Sequence, residues 1–126
     1  MTPLILFVDD EPNIIYAALR NLRSQPFEIV TASDAESAKL TLMTRNVDLI
    51  VTDENMPGKS GVELLKWVAN KFPDIVRILL TGQSNLDVAV RAVNEAEVYR
   101  FLQKPCHPFE LAMAIRKGLE ARVQSV

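Results

Sequence analysis

The chain has 126 residues, of which 48% are hydrophobic, and this length and composition fit one domain with a buried core. The formal net charge is −2, because 14 basic residues face 16 acidic ones, and this near balance argues against binding nucleic acid or a membrane through bulk charge. No apolar run has the length that a bilayer requires, and the single cysteine, Cys106, excludes an internal disulfide and fits a reducing cytoplasm.

Five short apolar runs predict five β-strands. Each run is followed by polar or turn-forming residues, as is typical of strands in a buried parallel sheet. The predicted strands are Leu4–Val8, Phe27–Ala32, Val47–Asp53, Ile75–Leu80 and Val98–Leu102.

Helical periodicity after each run predicts five helices that alternate with the strands. The first helix is expected to begin at Pro12 and the last at Pro108, because proline fits the first turn of a helix. Serines are expected to cap the other three, and these are Ser33, Ser60 and Ser84. The residues expected to form one apolar face of the fourth helix are Leu86, Ala89, Val90 and Val93. This alternation predicts an α/β fold with a parallel sheet.

The polarity of each strand predicts its place in the sheet. The first, third and fourth strands are the most continuously apolar, so they are expected at the centre. Glu28 and Arg100 mark the second and fifth strands as edges. A doubly wound order of 2-1-3-4-5 satisfies both conditions and places a crevice between strands one and three.

Residues with reactive side chains stand at the carboxyl ends of four predicted strands. Asp9 and Asp10 follow the first strand, and Asp53 ends the third. Thr81 follows the fourth strand, and Lys104 comes shortly after the fifth. Because parallel strands end at the same edge of a sheet, we expect these side chains to meet there.

Three acids in one cleft repel each other, and a hard divalent cation relieves that repulsion. Magnesium prefers oxygen ligands and pairs carboxylates with phosphate oxygens. Asp10 and Asp53 are expected to bind it directly and Asp9 through water. Beside such a cation, Asp53 is expected to act as a nucleophile that accepts a phosphoryl group as an aspartyl phosphate.

The other residues at this edge are suited to the incoming phosphoryl group. Lys104 offers a positive charge for its oxygens, and Thr81 offers one hydrogen bond. Gly82 leaves room for the group to approach.

These residues are similar to the motifs of the response-regulator receiver domain of two-component signalling. The matching motifs are Phe7-Val8-Asp9-Asp10-Glu11-Pro12, Asp53-Glu54-Asn55-Met56-Pro57-Gly58, Thr81-Gly82 and Lys104-Pro105. The resemblance covers essentially the whole chain, so residues 1–126 are expected to form one receiver domain without an output domain. It implies a CheY-like fold, the flavodoxin-like (βα)5 three-layer sandwich.

The resemblance also implies partners and further site residues. Asp53 would accept its phosphoryl group from a sensor histidine kinase or a phosphotransfer protein in the cytoplasm. The backbone carbonyl of Asn55 would be a further magnesium ligand, and the peptide bond between Lys104 and Pro105 would be cis. Such a domain catalyses only its own phosphorylation and dephosphorylation and is otherwise not an enzyme.

A phosphoryl group must also switch the domain between two states. One hydrogen bond from Thr81 to a charged oxygen gives about 1.5–3 kcal/mol, whereas a nearly complete switch needs about 5.5 kcal/mol. Lys104 and backbone donors near Gly82 must therefore contribute. Receivers couple the threonine to an aromatic residue three positions before the lysine, which here is Phe101 and lacks a hydroxyl.

The same resemblance implies how the switch is read. The face formed by the fourth helix, fifth strand and fifth helix would be read by a downstream output domain or target protein, or would form a homodimer. Neither nucleic acid nor a membrane is expected as a direct partner.

Three other functions compete with this interpretation. A phosphatase-type hydrolase that forms an aspartyl phosphate needs Asp-x-Asp after the first strand, whereas Asp9-Asp10 is followed here by Glu11-Pro12. A flavin or dinucleotide binder needs a glycine-rich loop at that point, where this chain has no glycine. A pseudo-receiver would bind partners without phosphorylation, which the intact set of acids disfavours.

Overall fold

The computed structural model describes residues 2–82 and 86–124, and in this part of the chain five strands alternate with five helices. The strands are β1 (Leu4–Val8), β2 (Glu28–Ala32), β3 (Leu49–Asp53), β4 (Val76–Thr81) and β5 (Arg100–Gln103). The helices are α1 (Pro12–Leu22), α2 (Ala35–Thr44), α3 (Gly61–Lys71), α4 (Leu86–Glu95) and α5 (Pro108–Gln124). The alternation predicted from the apolar runs is confirmed.

All five strands pair in parallel, in the order β2-β1-β3-β4-β5, which confirms the predicted topology. β1, β3 and β4 lie at the centre and are almost entirely buried, whereas Glu28 on β2 and Arg100 on β5 are exposed. β5 begins two residues later than predicted. Val98 is buried, but its N–H bonds to the Ala92 carbonyl at the end of α4, so it belongs to the connection.

The helices cover both faces of the sheet and make three layers. Side chains alternate along each central strand, so Ile50 packs on one face and Leu49 and Val51 on the other. One face is covered by α2, α3 and α4, and the other by α1 and α5. The two apolar layers hold the strands in register, and the loops at the carboxyl ends of the strands carry the polar residues.

Of the four residues predicted to form one apolar face of α4, only Ala89 is buried. Leu86, Val90 and Val93 are 60%, 49% and 46% exposed, while Ala89 and Ala92 are buried. Small side chains let the helix lie close to the sheet, so its alanine side faces inward and the larger residues face solvent. Because alanines carry little hydrophobicity, the periodicity of the larger residues hid the side that packs.

The predicted helix caps have different outcomes. Ser60 caps α3, since its Oγ accepts a hydrogen bond of 3.2 Å from the Glu63 N–H, as predicted. The prediction for α2 is wrong, because the cap is Asp34 and not Ser33. Asp34 Oδ1 accepts from the Ser37 N–H at 2.8 Å, one residue further along than the predicted pair. The predicted cap Ser84 lies outside the described residues.

A buried arginine in β4 was not anticipated from the apolar run. Arg77 is 8% exposed, and its guanidinium donates to the carbonyls of Pro73, Ile75, Ala96 and Glu97. These bonds satisfy the buried charge with backbone oxygens and join the α3–β4 and α4–β5 connections.

At the amino edge of the sheet, Asp48 links α5 to β1. Arg122 donates to Asp48 Oδ1 at 2.7 Å, and Asp48 Oδ2 accepts from the Leu4 N–H at 2.8 Å. α5 is thereby anchored over the sheet near its C-terminal end. Within residues 2–82 and 86–124, none of the helices combines the length and the apolar character needed to cross a membrane.

Candidate functional site

Two buried aspartates stand at the carboxyl edge of the central strands. Asp9 follows β1 and is 0% exposed, and Asp53 ends β3 and is 2% exposed. The Asp9 N–H continues the pairing with β2 through the Ala32 carbonyl, and Asp9 Oδ1 accepts from the Glu11 N–H at 2.9 Å. The strand ends therefore fix both carboxylates where solvent reaches them poorly.

Lys104 is brought to the same edge by β5. Its N–H bonds to the Thr81 carbonyl at 2.8 Å, and its Nζ lies 2.6 Å from Asp53 Oδ1 and 3.9 Å from Asp9 Oδ2. The Lys104–Pro105 peptide bond is cis, which is the geometry that the resemblance implied. The Lys104 ammonium thus lies within ion-pair distance of two buried carboxylates.

The carboxylates remain incompletely satisfied. Among the described residues, Asp9 Oδ2, Asp53 Oδ1 and Thr81 Oγ1 are buried without a well-aligned hydrogen bond. The Lys104 ammonium offsets the charge at Asp53 Oδ1, whereas a buried polar group without a partner costs roughly 1–3 kcal/mol. Asp9 Oδ2 and Thr81 Oγ1 therefore make this edge suited to a further polar partner.

A divalent cation fits this edge. Asp9, Asp10 and Asp53 each offer a carboxylate oxygen, and these three oxygens lie within 4.8 Å of one another. Asp10 is only partly exposed, so solvent reaches the group from that side. An all-oxygen set with room for water is the donor chemistry that magnesium prefers.

Burial raises the pKa of Asp9 above its usual 3.8, and the neighbouring charge of Asp53 adds to the rise. The Glu11 N–H and the Lys104 ammonium act in the opposite direction. Because the folded state then binds a proton more tightly than the unfolded chain, the free energy of unfolding falls as the pH rises above about 4 through the raised pKa.

Replacing Asp9 with asparagine is therefore expected to stabilise the magnesium-free protein at neutral pH. The amide keeps the acceptor for the Glu11 N–H and removes the charge that faces Asp53. Thermal melts in EDTA should show a higher Tm for Asp9→Asn at neutral pH and a smaller gap near pH ~4. A variant that is less stable than the natural protein at neutral pH would contradict this expectation.

The remaining predicted residues lie around the acids in different environments. Thr81 ends β4 and is 2% exposed, and Gly82 follows it and is half-buried. Asn55 is exposed in the β3–α3 loop. Phe101 on β5 is half-buried and packs against the apolar layer on the α2–α4 side, together with Val88 of α4.

The sequence interpretation missed how the β3–α3 loop is closed. A Cβ added at Gly61 would collide with the backbone carbonyl oxygen of Asp53, so α3 begins in direct contact with the end of β3. The Glu54 carboxylate accepts from the Val62 N–H at 2.9 Å. The available signal was a glycine placed directly after the cap Ser60, where helix propensity alone disfavours it.

A groove of about 510 Å³ runs from Lys104 between α1 and α5. Its apolar lining includes Ile14 and Ala17 of α1 and Leu111 of α5. The groove therefore lies next to the site, since Lys104 contributes to both.

The fold and this edge define the class: a doubly wound, flavodoxin-like α/β protein whose site lies at the carboxyl ends of the central strands. The chain matches the family described as "Response regulator receiver domain" over residues 5–116. It therefore belongs to the receiver domains of two-component response regulators, which are signalling modules and not classical enzymes.

Curated relatives are considerably longer than this chain. The hydrogenase transcriptional regulatory protein HoxA of Cupriavidus necator is 37% identical over 118 residues, which are 94% of this chain and 24% of that protein. The C4-dicarboxylate transport transcriptional regulatory protein DctD of Pseudomonas aeruginosa is 30% identical over 94% of this chain and 25% of its own length. The chain thus spans about a quarter of these relatives.

Solved structures show the same architecture. The signal receiver domain of an HD domain-containing protein from Pseudomonas fluorescens Pf-5 is 35% identical and has a TM-score of 0.94, covering 98% of this chain and 99% of that one. A CheY-like receiver domain protein from Methanospirillum hungatei JF-1 has a TM-score of 0.93 at 24% identity, with 100% of both chains covered, and supports the fold alone.

Proposed function

We propose that this domain is a phosphorylation-controlled switch in which Asp53 is the phosphoryl acceptor. The observation that carries the proposal is the buried Asp53 carboxylate, which has the Lys104 ammonium at 2.6 Å and oxygens of Asp9 and Asp10 within 4.8 Å. A carboxylate between a lysine and a cation-binding set of oxygens is a suitable nucleophile for phosphorus.

The transfer needs no further reactant beyond the donor. An Asp53 carboxylate oxygen forms a bond to phosphorus while the bond between phosphorus and the donor's histidine nitrogen breaks, and that nitrogen keeps the electron pair. Lys104 pairs with a phosphoryl oxygen in place of Asp53 Oδ1, which becomes part of the acyl phosphate. Attack of water on phosphorus then breaks the bond to the Asp53 oxygen, which releases inorganic phosphate and returns the carboxylate. The only catalysis is thus the domain's own phosphorylation and dephosphorylation.

Magnesium supplies positive charge that offsets the charge of the phosphoryl oxygens when it is bound. We propose that Asp10, Asp53 and the backbone carbonyl of Asn55 hold it directly and that Asp9 acts through water. The support is the cluster of three acids and the incompletely satisfied oxygens of Asp9 and Asp53.

The switch would begin at the Thr81 hydroxyl, which is buried and has no hydrogen-bond partner among the described residues. A phosphoryl group adds about −1.5 to −2 charge and three acceptor oxygens, and Thr81 would donate to one of them beside the Gly82 backbone. Thr81 ends β4, while Phe101 lies on the adjacent β5 and packs against the apolar layer that includes Ala92 of α4. Packing around Phe101 would therefore pass a shift of Thr81 to α4.

The partners of the switch are also proposals. A sensor histidine kinase or a phosphotransfer protein would approach in the cytoplasm over the α1–α5 groove, which Lys104 joins to the site. The output would be read from the face formed by α4, β5 and α5, where Leu86, Val90 and Val93 are exposed. An output domain, a target protein or a second copy of the domain would cover this face.

The proposal is tested by the intact mass of the protein after incubation with magnesium and acetyl phosphate. One added phosphoryl group that needs magnesium and is lost on standing is the expected result. An unchanged mass would indicate a pseudo-receiver, and continuous turnover of a phosphate ester would indicate a hydrolase. Either of these outcomes would overturn the proposed function.

Amide exchange checks the proposed output face. We expect slower or faster exchange in α4 and β5 when beryllofluoride replaces the phosphoryl group, because α4 exposes its larger apolar residues and its buried residues are the alanines Ala89 and Ala92. The amides of α2, on the same side of the sheet but remote from β5, serve as the internal control. Equal exchange in α4 and β5 with and without beryllofluoride would refute a role for this face.

A further inference from the structure

Glu54, the residue after Asp53, is held by three hydrogen bonds to two neighbouring elements. Its N–H donates to the Leu80 carbonyl of β4 at 2.9 Å. Its carbonyl accepts from the Gly61 N–H at 3.0 Å, and its carboxylate Oε1 accepts from the Val62 N–H at 2.9 Å. The end of β3, the end of β4 and the start of α3 are thus joined at one residue.

These bonds close the loop between Glu54 and Val62. One residue provides the acceptors for two successive N–H groups at the start of α3, one through its backbone and one through its side chain. Gly61 allows the two ends of the loop to approach closely, because it has no Cβ that would collide with the Asp53 backbone. Asn55 is the first residue inside the closed loop. The residue before it, Glu54, is held by the three hydrogen bonds, and this constrains the backbone that leads into Asn55.

The Glu54 carboxylate accepts a backbone hydrogen bond at the start of α3 although its side chain is partly removed from water. Glu54 is half-buried, and burial raises its pKa, although the Val62 N–H and the Arg91 guanidinium oppose that rise. The start of α3 already has the Ser60 cap for the Glu63 N–H, so the Glu54 carboxylate is an additional acceptor at the same helix end. A negative charge there is favoured by the helix dipole.

We propose that Glu54 is a positioning residue, whose side-chain bond to the Val62 N–H keeps the loop carrying Asn55 in the conformation that binds the cation. This inference rests on the proposed function, because it assigns the Asn55 carbonyl to the metal. Partners that orient a metal ligand typically contribute 10–100-fold to metal affinity. The contribution of Glu54 is separate from the charge that its carboxylate adds near the site.

Two variants separate the bond from the charge. Glu54→Gln removes the charge and keeps an oxygen acceptor for the Val62 N–H, whereas Glu54→Met has a similar length and removes both. Ser60→Ala is the control for helix stability, because it removes a cap of the same helix and leaves the Glu54 bond in place. Calorimetric titration of each protein with magnesium chloride gives the affinities, and amide exchange reports the Val62 N–H.

Glu54→Met is expected to bind magnesium about tenfold more weakly than Glu54→Gln, with faster exchange at Val62. Ser60→Ala is expected to lose stability while its magnesium affinity stays within about twofold of the natural protein. Equal affinities for the Gln and Met variants would overturn the positioning role and leave the proposed function intact. An absence of magnesium binding in the natural protein would overturn the proposed function itself.

Discussion

Replacing Asp53 with asparagine is expected to abolish the mass increase that acetyl phosphate and magnesium produce. The amide is not a nucleophile for phosphorus at neutral pH, and Asp53 is the acid that Lys104 approaches most closely, at 2.6 Å against 3.9 Å for Asp9. Intact-mass spectrometry of the variant and the natural protein under the same conditions measures the difference.

Asp34→Asn provides the matched control. Asp34 is exposed and caps α2, and asparagine caps helices about as well as aspartate, so this variant loses one carboxylate that is not among the clustered acids of the site. It should gain the phosphoryl group as the natural protein does. A phosphoryl group retained by Asp53→Asn would place the nucleophile at another residue and remove the central assignment.

Gly61→Ala is expected to destabilise the fold by about 3 kcal/mol or more, which lowers Tm by about 10 °C. The added Cβ would collide with the Asp53 carbonyl oxygen and lie 3.0 Å from the Glu54 Cα, and neither backbone group can rotate away. Alanine improves helix propensity by up to about 1 kcal/mol, so the collision decides the sign. Thermal and urea melts measure the change.

Gly118→Ala tests whether the effect comes from backbone contact. Gly118 is buried in α5, and a Cβ there would lie 3.1 Å from Leu49 Cδ1 and from Val76 Cγ1, which are side-chain atoms able to shift. The helix propensity gained by alanine offsets this crowding, so Gly118→Ala is expected to change stability by less than about 1 kcal/mol. Comparable losses in the two variants would contradict the special closeness of Gly61 to β3.

Much of the fold follows from local patterns in the chain. The apolar runs predicted the five strands and their order, because a strand buried on both faces is apolar throughout and an edge strand is not. Boundaries were less accurate. Val98 is apolar and buried like a strand residue, yet its N–H bonds to α4, and such a pairing cannot be read from polarity.

Errors occurred where packing competes with hydrophobicity. The larger residues of α4 were predicted to share one apolar face with Ala89, but the helix lies close to the sheet and buries Ala89 and Ala92 while the larger residues are exposed. The fourth strand was predicted to be among the most continuously apolar, yet it carries the buried Arg77, whose guanidinium donates to four carbonyls from two loops. The packing of α4 on the sheet and the bonds from Arg77 to the Ala96 and Glu97 carbonyls both join segments that are remote in sequence.

The sequence by itself determined which residues reach the site, because parallel strands deliver Asp9, Asp53 and Lys104 to one edge whatever their separation along the chain. Only the tertiary structure decided how that edge is built: which oxygens stay unsatisfied, how closely Lys104 approaches Asp53, and how Glu54 and Gly61 close the loop. The physical reason is how far apart in the chain the interacting residues lie. The polarity of a strand depends on neighbouring residues. Hydrogen bonds and close contacts instead depend on differences of a few tenths of an ångström in the distance between segments that meet only in the folded chain.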